Sequence, residues 1–359
     1  MTTDPKDYWE NIKPVVRGMP SYNLKEASCR IKLNQNESPF AIPEEVRSEI
    51  LSFAKEYAFS RYPALLAVPL AEKLSELLKV PKDWVLVGHG SNELIWALIQ
   101  AVLGRGDRVV VPVPAFALFT HYPKIVEAEL VEVPVREDLA FDVERLLSEA
   151  GNPETKLTLL ASPNSPTGAA LALRDVEHLC QATRGLVLLD EAYFQFAKAN
   201  ALGLLADHPN LILLRSFSKA FHLAGMRVGY LLARPEIAGA VSKAKLPFSV
   251  DALAQTAVMA MLARQDWVDE KVGYIVRERE RLFQKLGKLP GVRPYPSQAN
   301  FILFRVPDSR KVFDGLLEQG ILIRDVSHYP LLANCLRVTV GLESENDAFM
   351  KALKRILNK

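Results

Sequence analysis

Cysteines and histidines are few in this sequence and are not grouped. The 359 residues include 3 cysteines, at positions 29, 180 and 335, and 6 scattered histidines. Neither a CxxC pair nor an HExxH motif occurs. We therefore expect no structural zinc site, no disulfide framework and no other metal centre.

Signals for secretion and membrane insertion are also missing. The first ten residues are polar and acidic, without the basic start and apolar stretch of a signal peptide. The longest apolar stretch, 94–103, is interrupted by Gln100. It is much shorter than the roughly 20 residues that span a bilayer. We therefore expect a cytoplasmic protein that has no membrane partner.

The chain has no excess of charge of one sign. Its 44 lysines and arginines against 42 acidic residues give a net charge of +2. This balance argues against nucleic acid as the main partner. With 49% hydrophobic and 24% charged residues, the composition is typical of a globular protein, and the length predicts two or three domains around a large core.

Short apolar runs alternate with amphipathic helical patterns over the first two thirds of the chain. The runs that we predict as strands are 85–87, 108–111, 157–161, 186–189, 211–215 and 228–232. Most are apolar throughout, which is typical of strands that are covered on both faces. The alternation predicts an α/β fold with a mostly parallel sheet sandwiched by helices.

The pattern changes after about residue 245. Two predicted helices are followed by a strand–helix–strand–strand–helix order, which indicates a smaller α+β domain. The first 40 residues are weakly periodic and read as an arm. We predict an arm at 1–44 that contributes to the small domain, a large domain at 45–249 and a small C-terminal domain at 250–359.

A lysine follows one of the apolar strands in segment 211–230, the most informative part of the sequence. Lys219 would lie at the carboxyl end of a strand, where open α/β sheets bind ligands. Its apolar neighbours Phe217 and Phe221 favour the neutral amine by desolvation, as a Schiff-base lysine requires. The alternative for an isolated SxSK run is a solvated lysine.

The same segment offers groups for a phosphate. The hydroxyls of Ser216 and Ser218 and the fixed cation of Arg227 together suit such an anion. A salt-bridged surface arginine is the alternative for Arg227. The whole run, with Gly225 and Gly229 around that arginine, is far more specific than its parts.

Three other segments also follow apolar strands. Asp190 closes one strand, where a buried carboxylate needs a cation or a protonated ring nitrogen; helix capping is the alternative. In 161–168, two prolines and a glycine fix a turn that directs Asn164 to the same sheet edge. The glycine-rich turn 87–93 opens a helix whose backbone amides suit an anion. Ordinary connecting loops are the alternative for both turns.

Together these segments resemble the fold-type I pyridoxal-phosphate enzymes, within them the class I/II aminotransferases, and most closely the histidinol-phosphate aminotransferases. The resemblance runs from about residue 22 to 341, and its specific parts are the SxSKxFxLAGxRxGY and SPNxPTG runs. It implies an aspartate-aminotransferase-like fold with a large cofactor domain. It also implies pyridoxal 5′-phosphate as the cofactor.

The resemblance implies a role for each matching residue. Lys219 would hold the cofactor as an internal aldimine and then act as the general base. Asp190 would pair with the pyridinium nitrogen, and Asn164 and Tyr193 would hydrogen-bond the ring oxygen O3′. Phe116 would stack on the cofactor ring. The cofactor phosphate would bind in a cup formed by Ser91, Asn92, Ser216, Ser218 and Arg227.

Segment 61–63 resembles the RYP segment of the family. There the tyrosine, here Tyr62, reaches the cofactor phosphate of the neighbouring subunit. The resemblance therefore implies a homodimer with shared active sites. A residue of the hydrophobic core is the alternative for Tyr62.

Two C-terminal arginines carry the expectation about substrate. Arg324 and Arg337 match the pair that grips the substrate phosphate in histidinol-phosphate aminotransferases, with Tyr22 and Asn164 as further substrate contacts. In aminotransferases for plain amino acids, the last arginine holds the α-carboxylate instead. A surface ion pair with Asp325 or Glu318 is the alternative for Arg324.

Two more segments belong to this expectation. Residues 33–37 resemble an N-terminal segment at the mouth of the family's site. His328 and Tyr329 follow Arg324 in a loop, and neither has an assigned role.

We expect amino transfer from glutamate to imidazole-acetol phosphate, giving histidinol phosphate and 2-oxoglutarate in histidine biosynthesis. The alternatives are an aromatic amino-acid aminotransferase and a threonine-phosphate decarboxylase. A non-catalytic, cofactor-binding regulator is a remote alternative, because fewer than 35 residues precede the family likeness, too few for a DNA-binding domain.

Overall fold

A computed structural model describes residues 8–20 and 28–358 of the chain. Its strands divide among three sheets of seven, four and two strands. In chain order the strands are β1 Ile31–Lys32, β2 Val85–His89, β3 Arg108–Val113, β4 Glu129–Pro134, β5 Thr155–Ala161, β6 Leu186–Asp190, β7 Leu211–Ser216, β8 Val228–Leu232, β9 Arg293–Pro294, β10 Phe301–Arg305, β11 Ile321–Leu322, β12 Arg324–Asp325 and β13 Cys335–Thr339.

The α-helices lie mainly between these strands. Asp142, Asp251 and Asp308 each precede a helix and accept a hydrogen bond from the backbone N–H three residues later, which caps the helix start. The helices in the described ranges are Pro14–Gly18, Glu44–Glu56, Val68–Leu78, Gly90–Val102, Ala117–Ile125, Val143–Ala150, Leu173–Ala182, Pro235–Ala244, Ala252–Leu262, Gln265–Gly287, Ser309–Glu318 and Glu343–Leu357.

The seven-stranded sheet has the order β2-β8-β7-β6-β5-β3-β4 and is parallel except for β8. All six apolar runs form strands of this sheet. The seventh strand, β4, is not among the predicted strands. It is not an apolar run, because it lies at the edge of the sheet and is largely solvent-accessible. An edge strand has one paired side, so polar residues such as Glu129 and Glu132 are tolerated there.

Side chains of the central strands pack on both faces of the sheet. Val187 and Leu189 of β6 belong to the hydrophobic cluster on one face, and Leu188 belongs to the cluster on the other. Because successive residues of a strand point to opposite faces, a strand covered on both sides is apolar at every position.

The C-terminal part forms an antiparallel sheet, β12-β13-β10-β9, with its own hydrophobic cluster. The N-terminal arm joins this part, since β1 pairs in parallel with β11 and Ile31 and Leu33 lie in the same cluster. The domain boundaries at 44/45 and 249/250 stay a prediction.

This topology brings the chemically active segments to one edge of the large sheet. The parallel strands β2, β3, β5, β6 and β7 all end at that edge. The antiparallel strand β8 begins there, so Arg227, which directly precedes β8, reaches the same edge.

Candidate active site

One cavity of about 520 Å³ lies at the carboxyl edge of the large sheet and reaches the C-terminal sheet. Most residues that the sequence singled out line it. These are Ser91, Asn92, Phe116, Asp190, Tyr193, Ser216, Ser218, Lys219, Arg227, Arg324 and Arg337. The charged groups on its walls are four cations and two carboxylates, those of Asp190 and Glu37, so the cavity favours an anionic ligand.

Lys219 lies in the cavity wall, three residues beyond the end of β7. Its Nζ donates a hydrogen bond to the carbonyl oxygen of Gln35 in the N-terminal arm, at 3.0 Å. Burial, followed by the positive charge of Arg337, lowers the pKa of Lys219 to about 8. The amine is therefore much more readily neutral, and hence nucleophilic, than a solvated lysine.

Asp190 is the last residue of β6 and is 6% exposed. Its Oδ1 accepts a hydrogen bond from the N–H of Ala192, at 2.9 Å. Burial raises the pKa of Asp190 to about 7, and the Lys219 charge offsets only part of that shift. A carboxylate in this position gains most from a cationic partner that enters the cavity.

A buried ion pair supports the turn after Asp190. Glu191 and Arg215 are each 2% exposed at their side chains and approach to 2.8 Å. Glu191 also accepts a hydrogen bond from the N–H of Ala201, at 2.6 Å. These contacts fix both ends of the loop that carries Tyr193.

The Tyr193 hydroxyl faces the N-terminal arm, where it accepts a hydrogen bond from Asn36 Nδ2 at 2.9 Å. Burial raises the pKa of Tyr193, so the phenol stays protonated. Segment 33–37 thus contacts both Tyr193 and Lys219. The sequence resemblance indicates a position at the mouth of the site, whereas the structure places the segment against the residues inside it.

Asn164 lies just behind the cavity wall, between the lining residues Pro163 and Ser165. Its side-chain nitrogen donates to the Pro114 carbonyl at 2.9 Å and to the Thr167 hydroxyl at 3.0 Å. Its Oδ1 is buried and has no partner among the described residues. The amide therefore keeps hydrogen-bonding capacity beside the cavity.

An anion cup closes one end of the cavity. Ser91 and Asn92 lie in the first turn of helix Gly90–Val102, where free backbone N–H groups favour negative charge. Arg227 Nη1 is 3.3 Å from the Ser218 hydroxyl. Gly90 has φ = +69°, and a Cβ there would lie 2.7 Å from Arg227 Nη2, so this position favours glycine.

A pair of cations lies where the C-terminal sheet lines the cavity. Arg324 of β12 and Arg337 of β13 are directly opposite each other on neighbouring strands, and both line the cavity. Arg337 donates to the Ser165 hydroxyl at 3.0 Å and to the Asn34 carbonyl at 2.9 Å. Like charges opposite each other are destabilising unless an anion lies between them. Arg324 forms no ion pair with Asp325 or Glu318, which are both within the described ranges.

Two predicted site residues are not placed at this cavity. Tyr62 is 81% exposed and stacks on Phe248, with ring centroids 4.6 Å apart. Tyr22 lies outside the described residues.

Tyr329 lines the cavity beside Arg324, and its ring lies 4.5 Å from that of His328. Sequence reasoning named Tyr329 but had no signal for its placement.

Metal clusters and membrane-spanning helices do not occur in residues 8–20 and 28–358. No group of three or more His, Cys, Asp or Glu side chains in these ranges is arranged to hold a metal ion. Within the same ranges, each helix is too short or too polar to cross a membrane.

The profile of one protein family matches most of the chain. It is the family described as aminotransferase class I and II, and the match covers residues 30–353. A histidinol-phosphate aminotransferase from Prosthecochloris aestuarii is 38% identical over 352 residues, which are 98% of this chain and 99% of that protein.

Solved structures agree with the fold. A histidinol-phosphate aminotransferase from Sinorhizobium meliloti, in complex with pyridoxal-5′-phosphate, superposes with a TM-score of 0.88 at 28% identity, covering 97% of this chain and 98% of that one. A mutant aspartate aminotransferase from Thermus thermophilus gives 0.81 at 22% identity, covering 96% and 99%. The expected aspartate-aminotransferase-like fold is confirmed.

Proposed function

Because the chain belongs to the aminotransferase class I and II family, we propose that it is a pyridoxal-phosphate-dependent histidinol-phosphate aminotransferase. It exchanges an amino group between glutamate and imidazole-acetol phosphate, as in histidine biosynthesis. The observation that carries the substrate assignment is the Arg324–Arg337 pair, which faces the same cavity as Lys219 and Asp190. Two opposed guanidinium groups suit a phosphate dianion.

The cavity residues fit pyridoxal phosphate. Asp190 is a buried carboxylate that needs a cation, and a protonated pyridine nitrogen supplies one. Asn164 has a buried oxygen without a partner among the described residues. The cup around Arg227 suits the cofactor phosphate, Phe116 offers a ring face, and about 520 Å³ is in the usual range for a cofactor and a small substrate.

When bound, the cofactor supplies a conjugated ring that takes up the electron pair of the substrate's α-carbon. Lys219 has a depressed pKa, so its Nζ accepts the α-proton when neutral and returns it afterwards. The Asp190 carboxylate would hold the protonated nitrogen of the cofactor ring through its negative charge. Both substrates use one cavity in turn, so we expect ping-pong kinetics.

Substrate comparison tests the assignment. The purified protein is incubated with pyridoxal phosphate, and rates are measured on histidinol phosphate, phenylalanine and threonine phosphate. We expect kcat/KM for histidinol phosphate to exceed that for phenylalanine by about 100-fold, because the cations of a site built for a phosphate gain nothing from an apolar ligand. Preference for phenylalanine, or CO₂ release from threonine phosphate, would support the corresponding alternative instead.

Substitution of Arg324 with glutamine is expected to remove the preference for a phosphorylated substrate. Hydrogen bonds to charged groups contribute about 1.5–3 kcal/mol, so kcat/KM for histidinol phosphate should fall roughly 30-fold. The value for histidinol, which lacks the phosphate, should change less than about threefold.

The control for this variant is Arg310→Gln, since Arg310 is exposed and pairs with Asp314 on the surface helix. It should leave both values unchanged. An equal loss on histidinol and histidinol phosphate in Arg324→Gln would place Arg324 outside phosphate recognition.

We also propose that the protein works as a homodimer with shared sites, in the cytoplasm. Tyr62 lies outside the cavity of its own chain and is highly exposed, together with Phe59, Leu65 and Leu246. Exposed apolar side chains of this kind are typical of an interface. The proposal places Tyr62 at the cofactor phosphate of the neighbouring subunit.

Subunit mixing tests the shared site. Tyr62→Ala and Lys219→Ala, each impaired alone, are coexpressed with different tags and random pairing. Half of the dimers then contain one intact site of two, so activity should recover to about a quarter of the wild-type value. Activity equal to the mean of the two parent variants would show that Tyr62 acts only within its own chain.

A further inference from the structure

His222 has an unusual backbone conformation close to the active-site lysine. It lies three residues after Lys219 and has φ = +60°, a left-handed conformation that favours glycine. Its N–H also donates to the carbonyl of Lys219, at 3.4 Å. The left-handed conformation has a modest energetic cost for a histidine, which contacts of its side chain can offset.

The imidazole ring of His222 has several such contacts. Its Nδ1 is within hydrogen-bonding distance of the Ser38 hydroxyl in the arm. The ring lies edge-on to Trp267 of helix Gln265–Gly287, with centroids 4.8 Å apart, and to Phe40 of the arm, at 5.9 Å. One side chain therefore connects the lysine turn, the arm and the long helix.

Burial, together with a nearby cation, keeps the His222 ring neutral. The ammonium group of Lys271 lies 5.3 Å from the Phe40 ring centroid and 5.4 Å from that of Trp267. Burial and the Lys271 charge lower the pKa of His222 to about 4. Its Nε2 is buried and has no hydrogen-bond partner among the described residues, whereas its Nδ1 contacts the Ser38 hydroxyl.

Ser38 belongs to the arm segment that covers the catalytic groups. Three residues before it, the Gln35 carbonyl accepts the hydrogen bond from Lys219. Asn36 donates to the Tyr193 hydroxyl, and its own carbonyl accepts from Asn300 Nδ2, at 3.0 Å. The His222–Ser38 contact thus closes a loop of contacts that begins and ends at the lysine turn.

We propose that His222 is a positioning residue that, through Ser38, fixes arm residues 35–38 over the Lys219 nitrogen. This inference rests on the proposed function, because it takes Lys219 as the lysine that binds the cofactor. The Gln35 carbonyl and the negative charge of Glu37 both favour the protonated form of Lys219. In the protein with pyridoxal phosphate in the cavity, the cofactor keeps the Lys219 nitrogen buried, and the charges of Arg337, Arg227 and Asp190 lie outside the arm and stay in place. Loosening of the arm then removes the Gln35 carbonyl and the Glu37 charge, which lowers the pKa of the Lys219 nitrogen.

Four variants separate positioning from backbone effects. His222→Gly removes the ring and relieves the backbone, while His222→Asn keeps a polar atom near the position of Nδ1 in a residue that tolerates φ > 0. Ser38→Ala removes the partner with little change of shape. Lys79→Gly is the matched control, because Lys79 also has φ = +55° but is exposed at a helix end far along the chain.

The main readout is the pH midpoint of the visible absorption that pyridoxal phosphate acquires on Lys219. In His222→Gly we expect the midpoint to fall by about 0.5 pH unit. We expect kcat to fall about tenfold, with KM changed less than threefold. Ser38→Ala should shift the midpoint in the same direction, and the double variant should not exceed His222→Gly. His222→Asn should recover most of the midpoint, and Lys79→Gly should match the wild type.

Several results would overturn the inference. One is a wild-type midpoint and kcat in both His222→Gly and Ser38→Ala. Another is an effect of His222→Gly without any effect of Ser38→Ala, since it would not pass through the arm. If His222→Gly does not fold, Ser38→Ala alone decides, by shifting the midpoint or leaving it.

The design distinguishes this inference from the proposed function. A wild-type protein that acquires no visible absorption with pyridoxal phosphate contradicts the proposed function. Thermal unfolding of the cofactor-free protein then still tests the His222–Ser38 contact, through non-additive shifts of Tm in the two single variants and the double variant. Additive shifts would overturn it.

Discussion

Replacing Lys219 with alanine is expected to lower kcat by about 10⁴-fold or more, because two functions depend on one nitrogen. In the proposed function, the Lys219 Nζ binds the cofactor covalently and also moves the α-proton of the substrate. Burial and the charge of Arg337 lower the pKa of Lys219 to about 8. A lysine on the surface lacks this environment and cannot take over its role. Steady-state rates with glutamate and imidazole-acetol phosphate measure the loss.

A chemical readout accompanies the kinetics. Borohydride reduction of the wild-type protein with pyridoxal phosphate should fix the cofactor on the peptide that contains Lys219, as peptide mass mapping detects. Lys219→Arg is the matched variant, since it keeps the positive charge but has no neutral amine at any working pH. It should be as inactive as Lys219→Ala. Residual turnover above about 1% of wild type in either variant would contradict the proposed mechanism.

Much of the site was predictable because the large sheet obeys a simple rule. Fully apolar runs identified the central strands, and parallel strands of one sheet end at one edge. Any polar residue directly after such a run therefore approaches the others. Asp190, Lys219 and Ser91 are separated by up to 128 positions in the chain. Asp190 ends a strand of this sheet, Lys219 and Ser91 each follow one, and all three line one cavity.

The hydrophobic pattern predicted the C-terminal strands only in part. Segment 321–324 reads as a single strand but divides at Ile323 into β11, which pairs with the arm, and β12, which pairs with β13. Periodicity detects extended chain but contains no information about the partner strand. The register that sets Arg324 opposite Arg337 therefore required the structure, although the resemblance had named both residues.

The arm shows the clearest limit of sequence reasoning. Gln35 acts through its backbone carbonyl, which any residue has, so its side chain carries no signal for the contact with Lys219. The Ser38–His222 contact joins residues 184 positions apart, and neither residue is unusual by itself. The positive φ of His222 and the packing of its ring on Trp267 are visible only in the structure.

Substitution of Asp190 with asparagine is expected to lower kcat by about 10²–10³-fold. Loss of one preorganised electrostatic group in an active site commonly has an effect of this size. Asparagine keeps the shape and can still accept the hydrogen bond from the Ala192 N–H, but it has no charge to hold a proton on the ring nitrogen. Single-turnover rates of each half-reaction measure the effect on the chemical step.

The same substitution should stabilise the cofactor-free protein at alkaline pH. Burial raises the pKa of Asp190 from 3.8 to about 7, so between these values the folded protein keeps a proton that the unfolded chain has released. The associated stability is complete below about pH 4 and is lost as the pH rises through 7. An asparagine side chain does not titrate, so the Asp190→Asn variant lacks this loss.

Urea unfolding of the cofactor-free proteins at pH 5 and pH 8 measures the difference. Relative to Asp190→Asn, the wild type should lose of the order of 2–4 kcal/mol in the free energy of unfolding between these two pH values. Pyridoxal phosphate should reverse the order, since its ring cation pairs with the carboxylate and not with the amide. A difference that is the same at both pH values would contradict a raised pKa at Asp190. If Asp190→Asn loses activity and gains stability, then the Asp190 carboxylate serves the reaction although it lowers the free energy of unfolding of the cofactor-free protein.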